Sequence, residues 1–236
     1  MTSAPIDAAL LPDTARLTPD DVEIAGVSLR ALAAQHGTPL FVYDEATMRF
    51  RAAEAARSFD PGVAYGSKAF LCGAMARLVV DEGLWIDVAT GGELDLVLRA
   101  GVPPSRVIVH GNNKSAAEVE RAVAVGVHRL VVDNFDEVAR IARVVSPTSP
   151  LDCLVRVTPG VEAHTHDYVR TGQEDTKFGF SIASGEARVA IDALRAVPGV
   201  TLHGVHAHVG SQIFDDRAHR EATAILVDFT ARDGFD

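Results

Sequence analysis

The sequence predicts an α/β fold of the (β/α)8 TIM-barrel type, an incomplete barrel with about six strand–helix units present. Apolar segments that suit strands recur at 63–67, 85–89, 106–110, 129–133, 151–157 and 201–208. The first four lie about 21–25 residues apart, which is the length of one strand–helix unit. Several are almost continuously apolar, as is typical of parallel strands that helices cover on both faces. An open doubly wound sheet stays an alternative, because periodicity alone does not show closure.

Helices are predicted between these strands, at 71–80, 92–100, 115–125, 136–144 and 185–196. Ser115 and Glu118 have the spacing of a capping box, and Gly101 and Gly126 follow two of the helices, where a left-handed C-terminal cap favours glycine. These termini support the strand–helix alternation.

Ahead of the first unit, short strands are predicted at 22–27 and 40–43, and helices at 28–36 and 46–58. Residues 1–20 are polar and aperiodic, which predicts a flexible N-terminal arm. We therefore expect an arm over 1–20 and one barrel domain over 21–236.

Composition excludes several classes of protein. The 236 residues are 47% hydrophobic and carry a net charge of −10, without a Lys/Arg-rich block, which argues against a nucleic-acid partner. No apolar run reaches the ~18 residues that a membrane span needs. Cys72 and Cys153 are too far apart for a typical metal motif, and we expect both to pack in the core. The start lacks a charged-then-apolar signal segment, so we expect a cytoplasmic protein.

Polar side chains recur where the predicted strands end, which is where TIM barrels place their chemistry. The set comprises Lys68, Asp87, His110, Asp133, Arg156, His206 and His208. Lys68 closes an apolar strand among small residues and is a candidate covalent nucleophile toward a carbonyl. Asp133 has a simpler interpretation, as the cap of the helix that follows it. Gly210 and Ser211 offer a backbone amide and a hydroxyl to an anion such as phosphate.

Five segments carry a family resemblance in the order in which the family has them. They are 65–69 (Tyr-Gly-Ser-Lys-Ala), 87–94, 110–114 (His-Gly-Asn-Asn-Lys), 177–179 (Lys-Phe-Gly) and 206–212 (His-Ala-His-Val-Gly-Ser-Gln). Together they resemble the fold-type III, pyridoxal-phosphate-dependent decarboxylases of basic amino acids, and within them the diaminopimelate branch. The segment 161–166 resembles the version found in some bacterial members.

The resemblance implies a cofactor, a substrate and residue roles. The cofactor is pyridoxal 5′-phosphate, bound covalently by Lys68, with His208 stacked on its ring and Ser211 at its phosphate. Asp87 and Arg156 belong to the polar surroundings of the lysine and ring. The implied reaction is decarboxylation of meso-diaminopimelate to lysine, the last step of lysine biosynthesis, by a homodimer.

The family continues beyond the point where this sequence stops. Members have a glycine-rich phosphate turn, an acidic partner for the pyridine nitrogen and a C-terminal β-domain. We therefore expect the sequence to be an incomplete form of a longer enzyme, without the C-terminal β-domain and inactive alone.

Other functions stay open from the sequence. An ornithine- or arginine-type decarboxylase or an alanine racemase would also use Lys68, and a non-catalytic pyridoxal-phosphate binder would retain the same residues. A metal-dependent hydrolase is an alternative of another class, because His164/His166 and His206/His208 both have the His-x-His spacing of paired ligands.

Overall fold

The computed structural model describes residues 7–59, 62–161, 178–211 and 216–235. These residues form two compact units. One comprises the chain up to Val63 together with Leu78–Leu84, and the other comprises Ala64–Arg77 and the chain from Trp85 onward. This division differs from the boundary that the sequence predicts at residue 20.

The first unit contains a three-stranded antiparallel sheet and two helices. Its elements are a 3-10 turn (Ala8–Leu10), β1 (Arg16–Leu17), β2 (Val22–Ile24), β3 (Val27–Ser28), α1 (Leu29–His36) and α2 (Glu45–Ser58). The single strand predicted over 22–27 is wrong, because Ala25 and Gly26 both have positive φ, 51° and 78°, and form the two-residue turn of a hairpin.

Two other predictions for this unit need correction. No strand forms over 40–43 in the structure, although the residues are β-prone, because β1–β3 complete the described sheet of this unit without them. Residues 7–20 carry regular structure rather than a loose arm: β1 pairs with β2, and the Thr14 hydroxyl donates to Asp44 at 2.7 Å.

The second unit is built on parallel strands that follow one another in space as they do in sequence. They are β4 (Ala64–Gly66), β5 (Trp85–Val88), β6 (Val107–Val109), β7 (Arg129–Val132), β8 (Leu151–Thr158), β9 (Phe180–Ser181) and β10 (Val200–His206). The order is β4-β5-β6-β7-β8-β10, and β9 pairs with the end of β8. A doubly wound sheet would reverse its strand order part-way, so the barrel-type prediction is confirmed.

The helices of this unit alternate with the strands, as predicted. They are α3 (Gly73–Asp81, whose last residues belong to the first unit), α4 (Gly91–Arg99), α5 (Ala116–Val125), α6 (Phe135–Val144), α7 (Glu186–Arg195) and α8 (Arg217–Arg232). The capping box of Ser115 and Glu118 is formed, and Gly126 caps α5 with φ of 71°. Asn134, not Asp133, caps α6, so the simpler interpretation of Asp133 is wrong.

The core of the second unit lies between sheet and helices. Ile86, Leu130 and Ile191 are fully buried, and each such side chain contributes about 1.5–3 kcal/mol relative to an exposed position. Because the strands are parallel, their carboxyl ends share one edge of the sheet, where the polar candidates lie. In the parts of the chain that the structure describes, no helix is long and apolar enough to cross a membrane.

Candidate active site

A cavity of about 490 Å³ opens at the carboxyl edge of the parallel strands. Its lining includes predicted residues from four different strand ends, and these are Lys68, His110, Arg156, His208 and Ser211. Asp87 stands behind His110. The structure thus brings together the candidates that the sequence placed on separate strands.

Lys68 lies in the turn that leaves β4, two residues beyond its last residue. The turn is held to the neighbouring strand, because the Ser67 amide donates to the Asp87 carbonyl at 2.9 Å. The Lys68 side chain is exposed to the cavity, whereas Ser67 is buried and its hydroxyl has no hydrogen-bond partner among the described residues. The backbone at Lys68 is therefore fixed while its amine stays accessible.

Asp87 and His110 form a pair on adjacent strands. Nδ1 of His110 donates to Oδ1 of Asp87 at 2.5 Å, and the His110 amide donates to the Val88 carbonyl at 2.8 Å. A carboxylate on Nδ1 fixes the tautomer and the ring plane of the imidazole. His110 is thereby held rigidly on the cavity wall.

Arg156 is a buried cation with a buried counter-ion. Its Nη1 donates to Oδ1 of Asp133 at 2.8 Å, and the other oxygen of Asp133 accepts from the Gly179 amide at 3.1 Å. The guanidinium carbon lies 4.6 Å from the centroid of the Phe178 ring, within the range of a cation–π contact. Asp133 therefore orients Arg156. Its position directly before a helix had suggested the role of a helix cap instead.

His206 and His208 are held neutral near neutral pH. Burial lowers the pKa of His206 to about 3, and the positive charges of Arg156 and Lys68 add to the effect. Burial and the same two cations also lower the pKa of His208. Nδ1 of His206 has no hydrogen-bond partner within the described ranges. A neutral, half-buried imidazole at His208 offers a flat ring to the cavity.

A carboxylate on the cavity wall, Glu118, was predicted only as a helix cap. It accepts from the amide and hydroxyl of Ser115, each at 2.8 Å, and from the Gly91 amide at 2.8 Å. These donors lower the pKa of Glu118, the Ser115 amide most strongly. Glu118 thus joins the beginnings of α4 and α5 beside the cavity.

Lys114 and Glu137 form a fully buried ion pair behind the loop 110–114. The two side chains are 2% and 0% exposed, and Nζ lies 2.9 Å from Oε2 of Glu137. Desolvation lowers the pKa of Lys114, against the opposing effect of Glu137. This pair could not be predicted from sequence patterns, because the partners lie on successive strand–helix units.

The metal-hydrolase alternative finds no support in the described residues, which contain no group of three metal-ligating side chains. His164 and His166, on which it partly rests, lie outside the described residues. Cys153 is buried in β8, and burial raises the pKa of its thiol to about 12, so it packs as expected. Cys72 is partly buried.

The sequence model of the family "Pyridoxal-dependent decarboxylase, pyridoxal binding domain" matches residues 45–234. The chain belongs to this family. Among curated members, it is 49% identical over 195 residues to diaminopimelate decarboxylase of Mycobacterium tuberculosis, covering 81% of this chain and 44% of that protein. It is 47% identical over 200 residues to the Bacillus subtilis enzyme, covering 82% of this chain and 46% of that protein.

Solved structures of the family agree with the fold. Diaminopimelate decarboxylase from M. jannaschii superposes with a TM-score of 0.83 at 28% identity, covering 95% of this chain and 55% of that one. The Helicobacter pylori enzyme in complex with L-lysine superposes with a TM-score of 0.74 at 26% identity, covering 88% of this chain and 54% of that one. The chain spans about half the length of the relatives it matches.

The cavity fits pyridoxal phosphate, the cofactor that the family implies. Its volume lies in the range of small-molecule sites, about 300–1,000 Å³. Its lining includes the Lys68 amine, the Arg156 guanidinium and the Ser211 hydroxyl, which are groups that suit an aldehyde and a phosphate. The unpartnered Ser67 hydroxyl and His206 Nδ1 are polar atoms at the same edge that a polar ligand or water can satisfy.

Proposed function

We propose that this chain provides the lysine-bearing side of a pyridoxal-phosphate site that decarboxylates meso-diaminopimelate to lysine. The observation that carries the proposal is the convergence of Lys68, Arg156 and His208 on one cavity, in a chain of the pyridoxal-dependent decarboxylase family. The cavity also explains why the sequence keeps an amine, a guanidinium and neutral imidazoles at separate strand ends.

Each residue has a role that follows from its position. Lys68 carries the cofactor through its amine, and His208 contacts the flat face of the ring because its imidazole is neutral and half-buried. Ser211 donates its hydroxyl to the phosphate. Asp87 acts through His110, whose ring it orients. Arg156, fixed by Asp133, supplies a positive charge at the ring or the substrate carboxylate.

When bound, pyridoxal phosphate supplies the electron sink for the pair of electrons that departing carbon dioxide leaves behind. The residues of this chain bind the cofactor and orient the reacting groups. Arg156 and Lys68 place two cations on the cavity wall, which favours anionic groups. Burial, with a smaller effect of these cations, keeps His206 and His208 in their neutral forms. The Lys68 side chain is exposed at the cavity, where its amine can reach the cofactor's aldehyde.

The substrate is proposed from the relatives. Curated relatives near half identity are diaminopimelate decarboxylases, and a related solved structure contains L-lysine, the product of that reaction. We propose on the same similarity that the protein works in the cytoplasm and as a homodimer. Gel filtration with light scattering at micromolar concentration distinguishes the dimer from the monomer.

A chimera tests the function, because it supplies the part of the relatives that this chain does not span. Residues 45–234 replace the aligned segment of the Bacillus subtilis enzyme, and lysine formation from meso-diaminopimelate is measured with ornithine and arginine as competing substrates. We expect lysine formation that depends on added pyridoxal phosphate and is lost in Lys68→Ala. A chimera that folds, binds the cofactor and acts only on ornithine or arginine would assign the chain to another branch.

A further inference from the structure

A buried ammonium lies next to the cavity without lining it. Lys114 Nζ donates to the Gly111 carbonyl at 2.5 Å and to the Val131 carbonyl at 2.7 Å, and it pairs with Glu137 at 2.9 Å. An ammonium has three hydrogens, and these three acceptors use all of them. With its side chain 2% exposed, Lys114 is neither a surface lysine nor one that reaches the cavity.

Both carboxylate oxygens of Glu137 also have hydrogen-bond partners. Oε2 accepts from the Asp133 amide at 2.9 Å, and Oε1 accepts from the Lys114 amide at 3.2 Å. The Glu137 amide donates to Oδ1 of Asn134, and Nδ2 of Asn134 donates to the Asn112 carbonyl at 2.9 Å. The pair therefore joins the loop after β6 to the loop after β7.

Each of the two loops contains residues that belong to the candidate site or orient one of its side chains. The loop after β6 contains His110 and Gly111, which line the cavity, and the loop after β7 contains Asp133, which orients Arg156. An isolated ion pair in the interior costs desolvation that an apolar pair would avoid, so burial alone does not explain its presence. A connection between two loops that carry site residues does explain why the ion pair is there.

We propose that Lys114, neutralised by Glu137, is a positioning residue that fixes the strand-end loops carrying His110 and Asp133, and so preorganises the cavity for an anionic, aromatic ligand of the pyridoxal-phosphate class. The inference rests on the proposed function for the ligand, but the connection between the loops can be tested without it. Lys114 is not a catalytic residue, because it touches neither the cavity nor Lys68.

The test compares three purified proteins: wild type, the double variant Lys114→Met/Glu137→Met, and Ile191→Val as a control. The double variant replaces the ion pair with apolar side chains, an exchange that buried pairs often tolerate without unfolding. Ile191 is fully buried on α7, outside the network, and its substitution trims the core by one methylene. Far-UV circular dichroism and thermal unfolding establish that all three fold.

The first measurement is hydrogen exchange of the amides in 110–114 without cofactor. In the wild type the His110 and Lys114 amides are bonded, to the Val88 carbonyl and to Glu137, and we expect protection. In the double variant we expect these amides to exchange at least about tenfold faster, while those of α7 keep their rates. Equal protection of the loop in a folded double variant would overturn the proposal.

The second measurement is the dissociation constant for pyridoxal phosphate, from the absorbance of the bound cofactor. We expect at least about tenfold weaker binding in the double variant, equivalent to about 1.4 kcal/mol, and a change under about twofold in Ile191→Val. Wild-type affinity in the double variant would refute the positioning role. A wild type that fails to bind the cofactor at Lys68 would instead refute the proposed function and leave the exchange result to decide the connection between the loops.

Discussion

The Asp133–Arg156 pair makes a quantitative prediction about the free energy of unfolding. The two side chains are 1% and 10% exposed, and their charged atoms lie 2.8 Å apart. With an effective dielectric constant of about 20, the attraction is about 6 kcal/mol before desolvation. In Asp133→Asn the amide keeps the shape of the carboxylate, but its Nδ2 donor must face either the Arg156 guanidinium or the Gly179 amide, both of which are donors. An unpaired buried guanidinium costs about 3–5 kcal/mol.

Asp95→Asn is the matched control, because Asp95 also pairs with an arginine. Its partner Arg121 lies 3.5 Å away, and both side chains are about half exposed. We expect a loss under about 1 kcal/mol there, against about 3–5 kcal/mol in Asp133→Asn, which lowers the melting temperature by roughly 6–20 °C for a domain of this size. Urea unfolding monitored by circular dichroism measures both. A loss at Asp133 no greater than that at Asp95 would refute the argument that Arg156 depends on this buried partner.

Two further predictions concern pH and backbone geometry. The pKa of His206 is lowered to about 3, so between pH 6.5 and 3 the unfolded chain binds a proton that the folded chain does not, and stability falls as pH falls. From pH 7 to 5 we expect a loss of about 2 kcal/mol, reduced in His206→Gln; an unchanged pH dependence in that variant would contradict the assignment. A Cβ on Gly111, at φ of 116°, would lie 2.8 Å from the Ala89 carbonyl oxygen, whereas one on Gly101, at φ of 88°, meets nothing within 4 Å. Gly111→Ala should therefore destabilise by about 1–3 kcal/mol more than Gly101→Ala in the same unfolding assay, and equal losses would contradict the close approach.

The barrel-type fold could be predicted from the sequence because local signals agreed with one another. Apolar runs, the capping box of Ser115 and Glu118, and the glycine after α5 all marked the same strand–helix alternation, and most predicted boundaries differ from the observed ones by one or two residues. The N-terminal region could not be predicted as well. There the β-propensity of 40–43 predicts a strand, but these residues form none. The turn at Ala25 and Gly26 instead lets β2 and β3 pair with each other.

The site could be predicted in part. Lys68, His208 and Ser211 follow strands, and parallel strands necessarily bring their ends to one edge, so their meeting was foreseeable. The partnership of Lys114 with Glu137 was not. It depends on which way two side chains turn inside the structure, and periodicity carries no information about that.

The central claim is that Lys68 is the lysine that binds the cofactor, and the chain allows a direct test because its lysines are confined to positions 68, 114 and 177. The protein is incubated with pyridoxal phosphate, reduced with borohydride, digested and mapped by mass spectrometry. We expect the pyridoxyl group on the Lys68 Nζ, with the buried Lys114 unmodified, and no stoichiometric label in Lys68→Ala. Stoichiometric labelling of Lys114 or Lys177, or none at Lys68 in a folded sample, would contradict the account.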